Sequence, residues 1–230
     1  MTKLNAQQII EENRETYNAV AEAFSGTRSF VWPDINFLLE YINKDNQVLD
    51  LGCGNGRLYE FIREKGAQYC GLDYSDNLVT EARKKYLEAK FLIGNILDFN
   101  TEQKFDAVIS VSVLNHFPRE LQSEVIQRIK KLLKPGGKLL LINWNLWNIK
   151  RNKSVWRLPH LDSFKNVLTT WQTGDKKIKG NLFYYAFTKR ELRKLLAENN
   201  FSVIKNLYTK KGKKSSILFG ENIVTVAKLK

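Results

Sequence analysis

The run VLDLGCGNGRL, residues 48–58, carries the densest chemistry in the chain. An apolar strand delivers Asp50, and Gly52, Gly54 and Gly56 then alternate through a turn that leads into a helix. Glycines at such a turn let the backbone adopt strained dihedrals and bring N–H groups close to a ligand. Dinucleotide sites use a G-x-G-x-x-G loop that cradles a pyrophosphate. The spacing here is G-x-G-x-G, with an acid two residues ahead of the first glycine. That acid would repel a pyrophosphate but suits a ligand bearing an ammonium group. The loop therefore favours S-adenosylmethionine over a nicotinamide dinucleotide. Cys53, in the same loop, counts with the site but reads as a small space-filler rather than a reactive thiol.

Three later segments fall where the same ligand needs them. GLDYS places Asp73 at the end of a second strand, where a carboxylate accepts from both ribose hydroxyls, with Tyr74 beside it. IGNIL places Asn95 and Ile96 after a third strand, towards the adenine. FDAVISVSVLNHF places the span from Ser110 to His116 at the end of a fourth, over the reacting methyl. Each residue also has a blander role. Asp50 could cap the loop amides, Asp73 could be a helix N-cap, and His116 either packs in its loop or lines the substrate mouth.

The elements that must position these residues alternate strand and helix from QVLDL onward, which predicts an α/β fold with a parallel sheet covered on both faces. Ahead of the sheet, Ile10, Tyr17, Val20 and Phe24 fall at helical spacing, so an amphipathic helix is expected to run to Gly26. A second helix is expected from Pro33 through Ile42. KPGG marks a turn before the strand KLLLIN. Thr188 and Glu191 have the spacing of a capping box, and FSVIKNLY and NIVTVAKL read as two closing strands. Residues 144–187 break the alternation and hold four of the five tryptophans. One domain is expected, divided into an N-terminal helical segment (1–45), a cofactor core (46–143), a substrate-side insertion (144–187) and a closing helix and strands (188–230).

Composition narrows the setting. No apolar run approaches the roughly 18 residues of a membrane span, and MTKLNAQQIIEENRE lacks the features of a secretory signal. Cys53 and Cys70 are too few for a metal cluster or disulfide scaffold, so a reduced, cytoplasmic protein without a metal is expected. Residues 1–118 carry 12 Lys/Arg against 17 Asp/Glu, whereas residues 119–230 carry 25 against 7, so the net +13 is concentrated in the second half. Such asymmetry points to a polyanionic partner, nucleic acid or an anionic membrane surface. Lys150, Arg151, Lys153 and Arg157, with Lys210, Lys211, Lys213 and Lys214, could follow phosphates. The histidines, His116 and His160, form no conspicuous general-base constellation. That suits an acceptor already ionised at neutral pH, such as a carboxylate.

Residues 46–143 resemble the seven-stranded S-adenosylmethionine-dependent methyltransferases, which implies a Rossmann-like sheet. EENRETYNAVAEAFSGTRSFVWPDINFLLEYI, VLDLGCGNGRL, GLDYSDNLV, ISVSVLNHF and NLFYYAFTKREL are together similar to the methyltransferases that esterify carboxymethyl groups on the wobble uridine of tRNA. The similarity runs from about residue 14 to residue 198. It implies tRNA as substrate and an N-terminal lid. Tyr17 and Arg28 would sit over the methionine end of the cofactor, and Arg28 would pair with a carboxylate of donor or acceptor. Arg28, His116 and Tyr185 are then the catalytic candidates. Two departures concern the acceptor side: the paired histidines of that family stand here as Asn115-His116, and its Tyr-Tyr-His as Tyr184-Tyr185-Ala186. Eukaryotic members also use a small zinc-binding protein partner, which the sequence does not disclose. The alternatives are a small-molecule methyltransferase, with charge scattered outside an apolar pocket, and a catalytically silent RNA-binding relative.

Overall fold

Near-continuous apolar runs leave strands such as VLDL and AVISV with no polar face, so they must be covered on both sides. The computed structural model describes residues 5–27, 32–149, 164–172 and 179–230. Its strands are β1 (Gln47–Leu51), β2 (Gln68–Asp73), β3 (Lys90–Ile93), β4 (Phe105–Val111), β5 (Leu133–Trp144), β6 (Asn166–Gln172), β7 (Lys179–Tyr185), β8 (Phe201–Lys210), β9 (Lys213–Ser215) and β10 (Asn222–Leu229). Eight of them form one sheet in the order β3-β2-β1-β4-β5-β10-β8-β9, and β6 pairs with β7 in a separate antiparallel hairpin. The first five strands of that order are parallel, and β10 runs antiparallel to both β5 and β8. The sheet is the expected seven strands plus a three-residue edge strand.

The core divides by sheet face. Leu49, Leu51, Val108, Leu139 and Leu141 pack under α5 (Arg119–Leu132) and α6 (Lys189–Glu198), through residues such as Val125, Ile129, Leu192 and Leu196. Val48, Ala107, Ile109, Leu140 and Ile142 face α2 (Asn36–Leu39) and α3 (Tyr59–Glu64) through Leu38, Leu39 and Ile62. The capping box at Thr188 and Glu191 is present in both halves. α4 (Asp76–Lys85) starts at Ser75, whose side chain accepts from the Leu78 amide.

Three boundaries differ from expectation. α1 (Ala6–Thr27) runs through Gly26, and the hydroxyl of Thr27 donates back to the Phe24 carbonyl in its last turn. Pro33 opens a 3₁₀ turn (Pro33–Ile35), and the helix that follows ends at Leu39 rather than Ile42. The Lys134–Gly137 turn lies within the bounds of β5 as a register irregularity opposite Phe105 and Ala107, with Gly136 at φ 72°.

The polar residues of α1 explain how it is held. The Asn13 side chain accepts from the Phe183 amide at 2.8 Å and donates to the Phe183 carbonyl at 3.4 Å. Thr16 donates to the Asn181 carbonyl at 2.8 Å, and a Cβ on Gly180 would lie 2.4 Å from the Thr16 methyl, so helix and strand can touch only with glycine there. On its other side, Asn18 accepts from the Ser75 hydroxyl at 2.6 Å and from the Asn77 amide at 3.2 Å. α1 therefore bridges the β6–β7 hairpin and the start of α4, lying across the carboxyl ends of the strands.

Candidate active site

The strand order reverses between β1 and β4, and open α/β sheets bind ligands in the crevice outside the strand ends at that point. A cleft lies there, bordered by the glycine loop, the ends of β2 and β4, α1 and the β6–β7 hairpin. Gly52 (φ 70°) donates to the Leu72 carbonyl at 2.7 Å, and a Cβ on it would lie 2.1 Å from a methyl of Val113. Gly54 (φ 54°) lines the cleft and has nothing within 4 Å of the Cβ position, so its missing side chain leaves open space there. Gly56 does not line the cleft; its missing Cβ makes room for Phe91.

Asp73 lines the cleft and fixes the loop. One carboxylate oxygen accepts from the Gly54 amide at 2.7 Å and the other from the Ser75 amide at 2.8 Å. Burial raises its pKa against those hydrogen bonds. Asp73 thus ties the loop, the role weighed for Asp50, and the N-cap weighed for Asp73 is Ser75, while each Asp73 oxygen keeps a lone pair for another donor. Beside it Tyr74 donates its hydroxyl to Glu11 at 2.9 Å, under the guanidinium of Arg14. Asn95 and Ile96 also border the cleft, and the Asn95 side chain accepts from the Leu97 amide at 3.1 Å. The Cys53 thiol lies on the wall, and burial pushes its pKa well up, so it stays a neutral filler.

Besides Gly56, three expected residues are corrected. Asp50 is 2% exposed and stands behind the loop, on the face shared with Val48, where its carboxylate accepts from the Tyr69 hydroxyl at 2.9 Å. Burial pushes its pKa up to about 7, the Tyr69 bond and the charge of Arg57 opposing. Ser110 is buried within β4 between Leu51 and Leu141, and Ser112 borders the cleft instead. Ser112 adopts φ 60°, unusual for a non-glycine residue, and its Oγ is buried without a hydrogen-bond partner among the described residues. Tyr185 points into the main core, packing on Phe187 and donating to Glu191 at 3.2 Å, because successive residues of β7 face opposite sides. Tyr184 is the residue on the cleft wall.

His116 sits at the centre of the cleft wall formed by α1, the end of β4 and β7. Its Nδ1 lies 2.8 Å from the Phe183 carbonyl, which fixes the hydrogen on Nδ1, and its Nε2 then accepts from the Tyr17 hydroxyl at 2.9 Å. Burial pushes its pKa down to about 4, so the ring is neutral. The Tyr184 ring lies 4.4 Å from it and stacks on Trp144 at 5.2 Å and 8°. Asn115 holds this wall in register, donating to the Tyr185 carbonyl and accepting from the Trp144 amide. Of the insertion tryptophans, Trp144 and Trp171 reach the cleft, whereas Trp147 donates to the Ala186 and Phe187 carbonyls. Trp32 lines the opposite rim with the Arg57 guanidinium 4.8 Å from its ring centroid. Arg28, His160, Trp156 and the Lys150–Arg157 basic run lie outside the described residues.

Sequence reasoning did not single out Arg14, Arg57, Ser112 or Trp171 as site residues. Arg14 was findable, since it lies three residues before Tyr17 on one helix face.

The chain matches the family model described as Methyltransferase domain over residues 25–206. It is 36% identical over 142 residues to a tRNA (carboxymethyluridine(34)-5-O)-methyltransferase of Xenopus tropicalis, a match covering 61% of this chain and 22% of that protein. The enzyme of the same name from Arabidopsis thaliana is 32% identical over 130 residues, covering 56% and 31% respectively. The chain therefore spans less than a third of either protein. An S-adenosylmethionine-dependent methyltransferase from Clostridium acetobutylicum shares the fold, with a TM-score of 0.70 at 18% identity over 93% of this chain and 98% of that one. Among the described residues no helix is long and apolar enough to cross a membrane, and no group of three or more His, Cys, Asp or Glu is placed to hold a metal.

Proposed function

The chain belongs to the methyltransferase domain family, and on that footing we propose that it transfers the methyl of S-adenosylmethionine to the carboxylate of a carboxymethylated wobble uridine in tRNA. The residues present fit that donor. Gly54 leaves the loop open to close approach, and Asp73 retains lone pairs for the two ribose hydroxyls. Tyr74, Asn95 and Ile96 border the adenine end, with Gly52 and Cys53 shaping the loop. Asp50 and Gly56 support that loop from behind, and Ser112 takes the place expected of Ser110. When bound, S-adenosylmethionine supplies an electrophilic methyl on a sulfonium.

The rest of the reaction is positioning, since in-line displacement needs the acceptor oxygen within about 3–3.5 Å of the methyl and water excluded. The stacked Trp144 and Tyr184 rings, with Tyr17 and Trp32, offer aromatic faces that favour a cationic sulfur. Arg57 supplies positive charge at the rim for an anionic acceptor, and Arg28 keeps its proposed role of pairing with a carboxylate.

The state of His116 carries the choice of acceptor. Its Nδ1–H is committed to a carbonyl and its Nε2 lone pair to Tyr17, so the ring is poorly placed to take a proton. An amine or hydroxyl acceptor would need one removed, whereas a carboxylate is already ionised at neutral pH. The names of the relatives and the positive second half of the chain support a tRNA carrier. The test is incubation with methyl-labelled S-adenosylmethionine and bulk tRNA, then nucleoside analysis. Label is expected in an alkali-labile ester on uridine. Label confined to metabolites would replace this reading with a small-molecule acceptor.

A further inference from the structure

Resting on the tRNA reading, we propose that the β8–β9 hairpin and the loop after it form an RNA-gripping surface at the cleft rim, with lysines on backbone phosphates and Phe219 stacking an unpaired base. The hairpin turns through Lys211 (φ 49°) and Gly212 (φ 75°), with Lys210 paired to Lys213. Two-residue turns with both central residues at positive φ favour Asn or Asp ahead of the glycine. A lysine there places charge at the tip against the local backbone preference. The four hairpin lysines have no ion-pair partner among the described residues, so no carboxylate there neutralises their charge. Lys211, Lys213 and Lys214 are exposed.

The tip is fastened beside the cleft. Asp34, 1% exposed, accepts from the Gly212 amide at 2.7 Å with one oxygen and from the Asn222 side chain at 2.6 Å with the other. A Cβ on Gly212 would stand 3.1 Å from Pro33, so the turn lies directly against the segment whose Trp32 lines the cleft. The following loop is equally fixed. The Asn145 side chain donates to the Ile217 and Gly220 carbonyls, Asn148 donates to Gly220, and the Ile149 amide to Leu218. These bonds hold Leu218 and Phe219 at 46% and 56% exposure. With Ile217 at 36%, three consecutive apolar side chains face solvent, and contiguous exposed apolar patches mark interaction sites. Lysines beside an exposed aromatic on a rigid rim are the combination that binds single-stranded nucleic acid.

The test uses the full chain, with unmodified tRNA as the probe. Replacing Lys211, Lys213 and Lys214 together by Ala is expected to weaken tRNA binding about 10- to 100-fold near 0.1 M salt and to reduce the slope of log affinity against log salt by about two. Phe219→Ala is expected to weaken it about five- to a hundredfold with the slope unchanged. Both variants should keep wild-type affinity for S-adenosylhomocysteine. If wild type methylates tRNA but the lysine variant keeps both its affinity and its salt slope, the surface assignment is wrong and the tRNA reading stands. If wild type neither binds nor methylates tRNA, the underlying reading fails. Loss of binding to phosphatidylserine-containing vesicles, with tRNA binding intact in both variants, would overturn the proposal in favour of a membrane surface.

Discussion

Asp50 and His116 stand on either side of the glycine loop and should oppose each other in the pH dependence of stability. The Asp50 carboxyl moves from 3.8 to about 7 on folding, driven by burial. Between those values the native state holds a proton that the unfolded chain has released, so stability falls as pH rises and the full cost is present above pH 7. At about 1.4 kcal/mol per pH unit this comes to about 4 kcal/mol. His116 moves from 6.5 to about 4, again through burial. Here the unfolded chain binds the extra proton. Stability therefore rises with pH, is fully present above 6.5, and is lost towards pH 4, by about 3 kcal/mol. In wild type the two terms nearly cancel. Asp50→Asn keeps an acceptor for Tyr69 and removes the falling limb, so its stability relative to wild type should climb by several kcal/mol between pH 4 and 7. His116→Phe removes the rising limb, and its deficit at neutral pH should shrink by about 3 kcal/mol as pH falls to 4. Urea unfolding followed by tryptophan fluorescence at half-unit pH steps gives both difference curves. Two curves flat to within about 1 kcal/mol would refute the burial argument for both residues.

Asp73→Asn leaves a backbone amide facing an NH₂ group, so the ligand-free protein should lose about 2 kcal/mol in thermal or urea unfolding, and S-adenosylhomocysteine affinity should fall at least tenfold by calorimetry; unchanged affinity would leave Asp73 only its loop-tying role. Gly52→Ala should cost several kcal/mol because strain and a 2.1 Å clash with Val113 coincide, whereas Gly54→Ala should cost about 1 kcal/mol yet weaken cofactor binding, since its Cβ enters the cleft. Tyr185→Phe loses its hydrogen bond to Glu191 and should lower stability by about 1 kcal/mol with kcat intact, while Tyr184→Ala should cut kcat/KM more than tenfold.

What the sequence made legible is what short-range pattern encodes. The glycine spacing, the acid ending β2, the capping box at Thr188 and the alternation of strand and helix are each written in a few consecutive residues. The side chains that were misplaced lie close in sequence to residues that do border the cleft. Tyr185 stands for Tyr184, Ser110 for Ser112, and Asp50 lies behind the loop it precedes. For Tyr184 against Tyr185 a period of two makes the choice of face depend on register, and register is set by distant partners such as Asn115, which reads as a bare departure in sequence but pins Tyr185 and Trp144 together. Ser110 fails because the strand ends at Val111 and the chain turns at Ser112. α1 shows the same limit more fully. Its apolar spacing was visible, yet Asn13, Thr16 and Asn18 gave no signal, because their partners lie far along the chain in β7 and at the start of α4. Those polar residues join α1 to the turn after Asp73 on one flank and to the aromatic wall around His116 on the other, with Arg14 and Tyr17 facing the cleft between them. A helix anchored on both flanks cannot shift at one without straining the other. Cutting the β7 anchor with Asn13→Ala should therefore weaken S-adenosylhomocysteine binding, although among the described residues Asn13 bonds none at the Asp73 end.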